Sequence, residues 1–159
     1  QAAVQQLLAE HGYVQYEVSA YARAGQQARH NLNYWSFGDF IGIGAGAHGK
    51  LSSPSGQIVR TWKTRLPKDY LDPDKAFLAG ERALTSEELP FEFLMNVLRL
   101  NDGCSSALFT QRTGLPLSVL STARAEAEAR GLLLRDPQRL AASREGQLFL
   151  NDLLQYFLT

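Results

Sequence analysis

The string Ile41-Gly42-Ile43-Gly44-Ala45-Gly46-Ala47-His48-Gly49 constrains this chain more than any other part of it. Glycine takes every second position from 42 to 46, and the residues between are small or apolar. In a strand, where side chains alternate between faces, that spacing gathers the glycines on one face and lets a ligand or a second backbone come close. The stretch lacks the Gly-Lys-Ser/Thr ending of a phosphate loop, and it opens no evident helix, as a dinucleotide fingerprint must. On spacing alone it is either a tightly packed strand edge or a cofactor cradle.

The flanks suggest an α/β setting. Val4, Leu7 and Leu8 share a helical face, and Gly12 stands where a helix end favours positive φ, so residues 1–11 read as the end of a helix. Residues 13–19 then alternate, with Val14, Tyr16 and Val18 on one face and Gln15, Glu17 and Ser19 on the other. A helix passing through glycine into a strand is an αβ step, whose preceding repeats are expected upstream. Residues 20–40 show no clear period and are rich in aromatic and polar groups, the pattern of a functional loop. Residues 50–63 read as a hairpin turning at Pro54-Ser55-Gly56, and residues 66–74 as a linker.

Beyond the linker the pattern is helical. Thr85 and Glu88 form a capping-box pair, with Pro90 as an alternative first-turn marker. Gly114 closes a helix at 106–113, and Gly131 closes another at 117–130. Residues 132–141 read as a small hairpin around Asp136-Pro137-Gln138, and a last helix starts near Glu145. That order is the order of a winged helix-turn-helix. Charge argues against a DNA role: from Lys75 onward there are 9 Lys or Arg against 10 Asp or Glu, and the expected reading helix carries Glu126 and Glu128. Phosphate neutralisation supplies most nonspecific affinity for DNA, and such a module offers little of it.

The whole chain of 159 residues has 16 basic and 16 acidic side chains and one cysteine. Neutrality gives no footprint for nucleic acid or anionic lipid. The single Cys104 excludes an intrachain disulfide and any site in this chain built from several cysteines. No apolar run reaches the roughly 18 residues of a membrane-spanning candidate. The chain starts at Gln1 with no initiator Met or signal-peptide pattern, so a fragment is expected.

Three histidines are the remaining candidates for chemistry. His11 ends a helix and reads as a cap or surface residue. His30 and His48 lie on different segments, with no carboxylate within five residues of His48, so a two-histidine metal site is not indicated. His30 sits among Tyr21, Tyr34, Trp35 and Phe37, a surround suited to a flat apolar ligand, and imidazole is a usual axial ligand of haem iron. The alternative is a structural histidine bonded to a loop carbonyl. Cys104 has no neighbouring His or Lys that would activate it.

Specific strings go further than periodicity. Tyr16-Glu17-Val18-Ser19-Ala20-Tyr21-Ala22, then His30-Asn31-Leu32-Asn33-Tyr34-Trp35, then Gly42 to Gly49, in this order and spacing, resemble the HemW-type haem chaperones. These form a branch of the radical SAM family related to oxygen-independent coproporphyrinogen III oxidase. Gly131-Leu132-Leu133 and Gly146-Gln147-Leu148-Phe149-Leu150-Asn151 resemble that family's small C-terminal domain.

The resemblance implies an α+β fragment. Residues 1–65 would be the end of a partial β/α (radical SAM) barrel, 66–74 a linker, and 75–159 a HemN-type winged-helix-like C-terminal domain. It implies haem as ligand, bound by His30 at the iron with Asn31, Tyr34 and Trp35 as its setting. It places Gly44, Ala45, Ala47 and His48 toward the S-adenosylmethionine region. The [4Fe–4S] cluster and S-adenosylmethionine would belong to the full-length protein only, since the Cys-x-x-x-Cys-x-x-Cys loop is absent here. The implied function is haem binding and transfer to an acceptor protein, in the cytoplasm, with this fragment alone inactive. Oxidative decarboxylation of coproporphyrinogen III is the alternative, and a nucleic-acid-binding winged helix the third.

Overall fold

The structure, a computed structural model, describes residues 2–158; Gln1, at the head of the expected first helix, lies outside them. Helix α1 (Ala2–Glu10) ends at Gly12, whose φ of +77° is the left-handed conformation the sequence predicts. Strand β1 (Val14–Glu17) follows, but it pairs antiparallel with β2 (Ala20–Ala22) in a tight hairpin. The expected alternation is not kept either. Val14 is 66% exposed, whereas Glu17 is 2% exposed. Tertiary bonding decides this: the Ser19 N–H and hydroxyl both donate to Glu17 Oε1, and the hairpin tip bonds residues 99–101 through Val18 N–H to Arg99 O and Asn101 N–H to Tyr16 O.

The stretch 20–40 is not irregular throughout. It contains β2 and helix α2 (Arg29–Trp35). The glycine-rich stretch, conversely, is not a strand. Gly44 and Gly46 have φ of +109° and +68°, so residues 43–47 turn, and strand β3 (His48–Ser52) starts only at His48. Extended alternation would need negative φ at every position, and these two glycines are used for their freedom to break it. β3 runs into β4 (Ile58–Lys63) through the expected turn, with Gly56 at φ +84°.

The expected linker holds a short helix, α3 (Pro67–Tyr70). The chain then adds a strand that periodicity misses, β5 (Leu78–Ala83), antiparallel to β4 in a three-stranded sheet of order β3-β4-β5. Five of its six residues are exposed, so it has no buried face to mark it in the sequence.

Helix α4 (Leu89–Val97) is the central core element, burying Leu89, Phe93, Leu94, Asn96 and Val97. Glu88 Oε2 accepts the Thr85 N–H, which is the reciprocal half of the predicted capping box, and Pro90 lies in the first turn. Strand β6 (Cys104–Ser105) leads into α5 (Ser106–Thr113), closed by Gly114 at φ +73°. A 3-10 turn (Leu117–Leu120) and α6 (Ser121–Ala129) replace the single helix expected at 117–130.

The expected hairpin 132–141 is only partly formed. Leu133 bridges Ala142, while β7 (Arg139–Leu140) pairs with β6 instead. The last helix breaks at Phe149 into α7 (Arg144–Leu148) and α8 (Leu150–Gln155). One apolar cluster joins Phe37 and Ile58 to Phe93, Phe109, Leu120, Leu140, Leu153 and Phe157, so the sheet and the helical half share a core. Among the described residues no helix is long and apolar enough to cross a membrane.

Candidate functional site

α2 is a short polar helix with no buried residue, and its position comes from how it ends. Phe37 N–H donates to Tyr34 O and Gly38 N–H to Asn33 O, a Schellman closure with Phe37 in the left-handed position at φ +55°. A bulky residue there costs roughly 1–2 kcal/mol. The Phe37 ring offsets this by being 1% exposed, edge-on to Phe93 at 5.5 Å. Phe37 therefore anchors α2 in the core and does not join the aromatic surround expected around His30.

His30 and Tyr34 are four apart, as are Asn31 and Trp35, so all four project from one side of α2. Together with Phe40 and Ile41 they line an open cleft of about 390 Å³. Tyr34 is edge-on to Trp35 at 4.6 Å and tilted against Phe40 at 4.7 Å. His30 is exposed and makes no hydrogen bond among the described residues, so the structural alternative, a bond to a loop carbonyl, is not what the fold uses. Tyr21 stands apart, on β2.

Behind the cleft lies a polar cluster with no local sequence signal. The Arg99 guanidinium carbon stacks over the Trp35 ring at 4.4 Å, and its Nη2 faces Glu17 Oε2 at 3.6 Å. Glu17 Oε2, Arg99 Nε and Trp35 Nε1 are buried without hydrogen-bond partners, and all three belong to this cluster. Buried polar atoms normally find partners, so this cluster rests on the Glu17–Arg99 charge pair and on the stacking of Arg99 over Trp35.

The Gly44–Ala47 turn walls a second cleft, of about 520 Å³, lined by Ala45, Gly46, His48, Trp62, Lys63 and Arg65. Of the residues expected toward S-adenosylmethionine, Ala45 and His48 line it; Gly44 is fixed by donating its N–H to Tyr70 Oη at 3.1 Å, and Ala47 accepts from Lys63 N–H at 2.8 Å. Gly42, next to Ile41 of the first cleft, packs against the backbone of His48 of the second so closely that a methyl group at 42 would overlap the His48 carbonyl. Gly42→Ala is expected to cost about 2 kcal/mol through overpacking. The measurement is a urea melt, in which the midpoint should fall at unchanged slope.

His11 Nδ1 is 2.8 Å from Leu7 O at the exposed end of α1, in keeping with a helix-end role. Burial pushes the Cys104 thiol up to about 12, against a small opposing effect of Arg139, so it is an inert packing group at neutral pH. Among the described residues no three His, Cys, Asp or Glu side chains converge as a metal site, and one cysteine cannot supply the three thiolates of the cluster loop.

The chain is similar to known proteins over most of its length. Residues 84–149 match the HemN C-terminal domain. Over 153 residues the chain is 46% identical to heme chaperone HemW of Escherichia coli, which covers 96% of this chain and 40% of that protein. Over 154 residues it is 44% identical to heme chaperone HemW of Haemophilus influenzae, covering 97% and 40%. The chain thus spans about two fifths of the length of these curated relatives. The solved structure of the radical SAM enzyme coproporphyrinogen III oxidase (HemN) from Escherichia coli matches its fold with a TM-score of 0.66 at 15% identity, over 99% of this chain and 40% of that one. Residues 84–149 are thus similar to the HemN C-terminal domain, and the chain as a whole is a mixed α+β region similar to about two fifths of the HemW-type relatives.

Proposed function

We propose that this chain is the haem-binding C-terminal part of a haem chaperone, and that the α2 cleft receives the haem to be passed to an acceptor protein. One observation carries the reading: His30, Asn31, Tyr34 and Trp35 share one side of α2 and line one cleft. The residues fit the cargo. An imidazole with no bond of its own is available to iron, aromatic rings flank it, and the orphaned Trp35 Nε1 lies just behind. In this reading His30 ligates iron, Tyr34 and Trp35 exclude water from one face, and Asn31 is steadied by donating to Tyr16 Oη at 3.3 Å.

In the full-length protein the [4Fe–4S] cluster and S-adenosylmethionine belong upstream. Residues 1–65 are then the end of the partial barrel, and the order β6-α5-α6-β7 is the winged-helix-like part. In this reading the small C-terminal domain begins at 75; β5 completes the sheet of β3 and β4, and the family match covers 84–149. A cytoplasmic location goes with this reading. The test is a haem titration of the full-length protein and its His30→Ala variant. At least about tenfold weaker binding, with a displaced Soret band, is expected on loss of the ligand. Equal affinity and an unchanged band remove His30 as the ligand.

A further inference from the structure

The second cleft has a charge character that the first lacks. Lys63 and Arg65 leave the end of β4 on the same rim as His48 and Trp62, and no carboxylate lines the cleft. Other cations of this sheet and its edge are matched: Lys50 with Asp39, Arg60 with Glu92, Arg82 with Glu88, and Lys75 with Asp69 and Asp72. Lys63 and Arg65 form no ion pair among the described residues; Lys63 Nζ instead lies over the Phe77 ring at 4.6 Å. The site is also built rather than incidental. Gly46 N–H donates to Thr64 O at 2.9 Å, which holds the turn against β4, and Trp62 packs on Gly80, where any side chain would run into the indole. A flat aromatic wall with two unmatched cations suits a conjugated ligand bearing carboxylates.

Position connects this cleft to the first. Phe40 and Ile41 line the α2 cleft, Ala45, Gly46 and His48 line the second, and Gly42, next to Ile41, packs on the His48 backbone. Ile41 on the first cleft and Ile43, the residue after Gly42, are 73% and 84% exposed and offer apolar surface here. S-adenosylmethionine, with a sulfonium and an ammonium against one carboxylate, is a poor match for two free cations. Haem, with two propionates and an apolar face, is a good one. We propose that Lys63 and Arg65 bind the propionate carboxylates of the haem whose iron His30 holds, so that the two clefts are one extended site. This rests on the haem-binding reading above.

The experiment compares haem with haem dimethyl ester, whose propionates carry no charge, on the full-length protein and its Lys63→Gln/Arg65→Gln variant. The variant should bind haem about tenfold more weakly. It should bind the ester as the unaltered protein does, and keep the Soret position because His30 is untouched. A Lys63→Arg/Arg65→Lys variant, which keeps both charges, should regain most of the affinity for haem. Unchanged haem affinity, or equal weakening of haem and ester, overturns the proposal. So does weakening of S-adenosylmethionine binding alone, which would give the cleft to the nucleoside. If the unaltered protein binds neither haem nor ester, the haem-binding reading itself fails; if it binds both equally, only the propionate assignment does.

Discussion

Phe93→Ala should destabilise the protein by about 4 kcal/mol, the upper range for truncating a buried aromatic. Phe93 is 0% exposed and stands edge-on between two other rings, Phe37 at 5.5 Å and Phe109 at 5.3 Å. Its removal opens a cavity between α4, α5 and the anchor of α2, and the flanking rings cannot both collapse into it. With total stabilities usually about 5–15 kcal/mol, the variant would be near the limit of folding. The Phe37 backbone, in its costly left-handed seat, would also lose the contact that compensates it. The measurement is chemical denaturation followed by circular dichroism, with Phe93→Leu as the comparison. Leu fills most of the volume and should cost about 1.5 kcal/mol. A loss below about 1 kcal/mol for the alanine variant would mean that Phe93 is not at the centre of the core.

What was legible in the sequence depended on how local the deciding interaction is. α5 and its Gly114 close were readable because one residue that tolerates positive φ settles where a helix stops. The hairpin of β3 and β4 was readable for the same reason at Gly56. The His30 string could be picked out as a candidate, but α2 itself could not, since seven residues, all polar or aromatic except Leu32, without a buried face have no period. It is held by Phe37 reaching Phe93, a contact across more than fifty positions. The glycine run misled in a specific way. Alternation implied a strand, but Gly44 and Gly46 use positive φ to turn, while Gly42 and Gly49 are there for close approach. Nothing near Glu17 in sequence announces Arg99, and Lys63 and Arg65 look ordinary because unmatched charge becomes visible only when every neighbour's partner is known.

Asp39→Ala should cost about 3 kcal/mol at neutral pH, because it leaves a buried ammonium without its counter-ion. Lys50 is 2% exposed, with Nζ 2.9 Å from Asp39 Oδ1 and 4.3 Å from the Phe37 ring centre. Asp39 also accepts from the Ser52 N–H and hydroxyl at 3.0 and 2.9 Å, which ties the loop after α2 to β3 and so positions Phe40 in the cleft. Burial alone would raise the Asp39 carboxyl, but the bonds from Lys50 and Ser52 outweigh it and hold the group below 3.8. The folded protein therefore binds that proton less readily than the unfolded chain, and this stabilisation is present above about pH 4 and lost as pH falls through the folded value. For Lys50, burial lowers the ammonium below 10.5 despite the opposing pull of Asp39, so stability rises with pH between the lowered value and 10.5. Removing Asp39 removes that pull, lowers Lys50 further and widens the window toward neutrality. The deficit of Asp39→Ala should accordingly be smaller at pH 9 than at pH 6, measured by urea melts at both. Lys50→Met, which removes the buried charge and leaves Asp39 42% exposed to water, should lie within about 1 kcal/mol of the unaltered protein. If Asp39→Ala loses the same amount at both pH values, the Lys50 ammonium is not the group that suffers, and its place in the core would have to be redrawn.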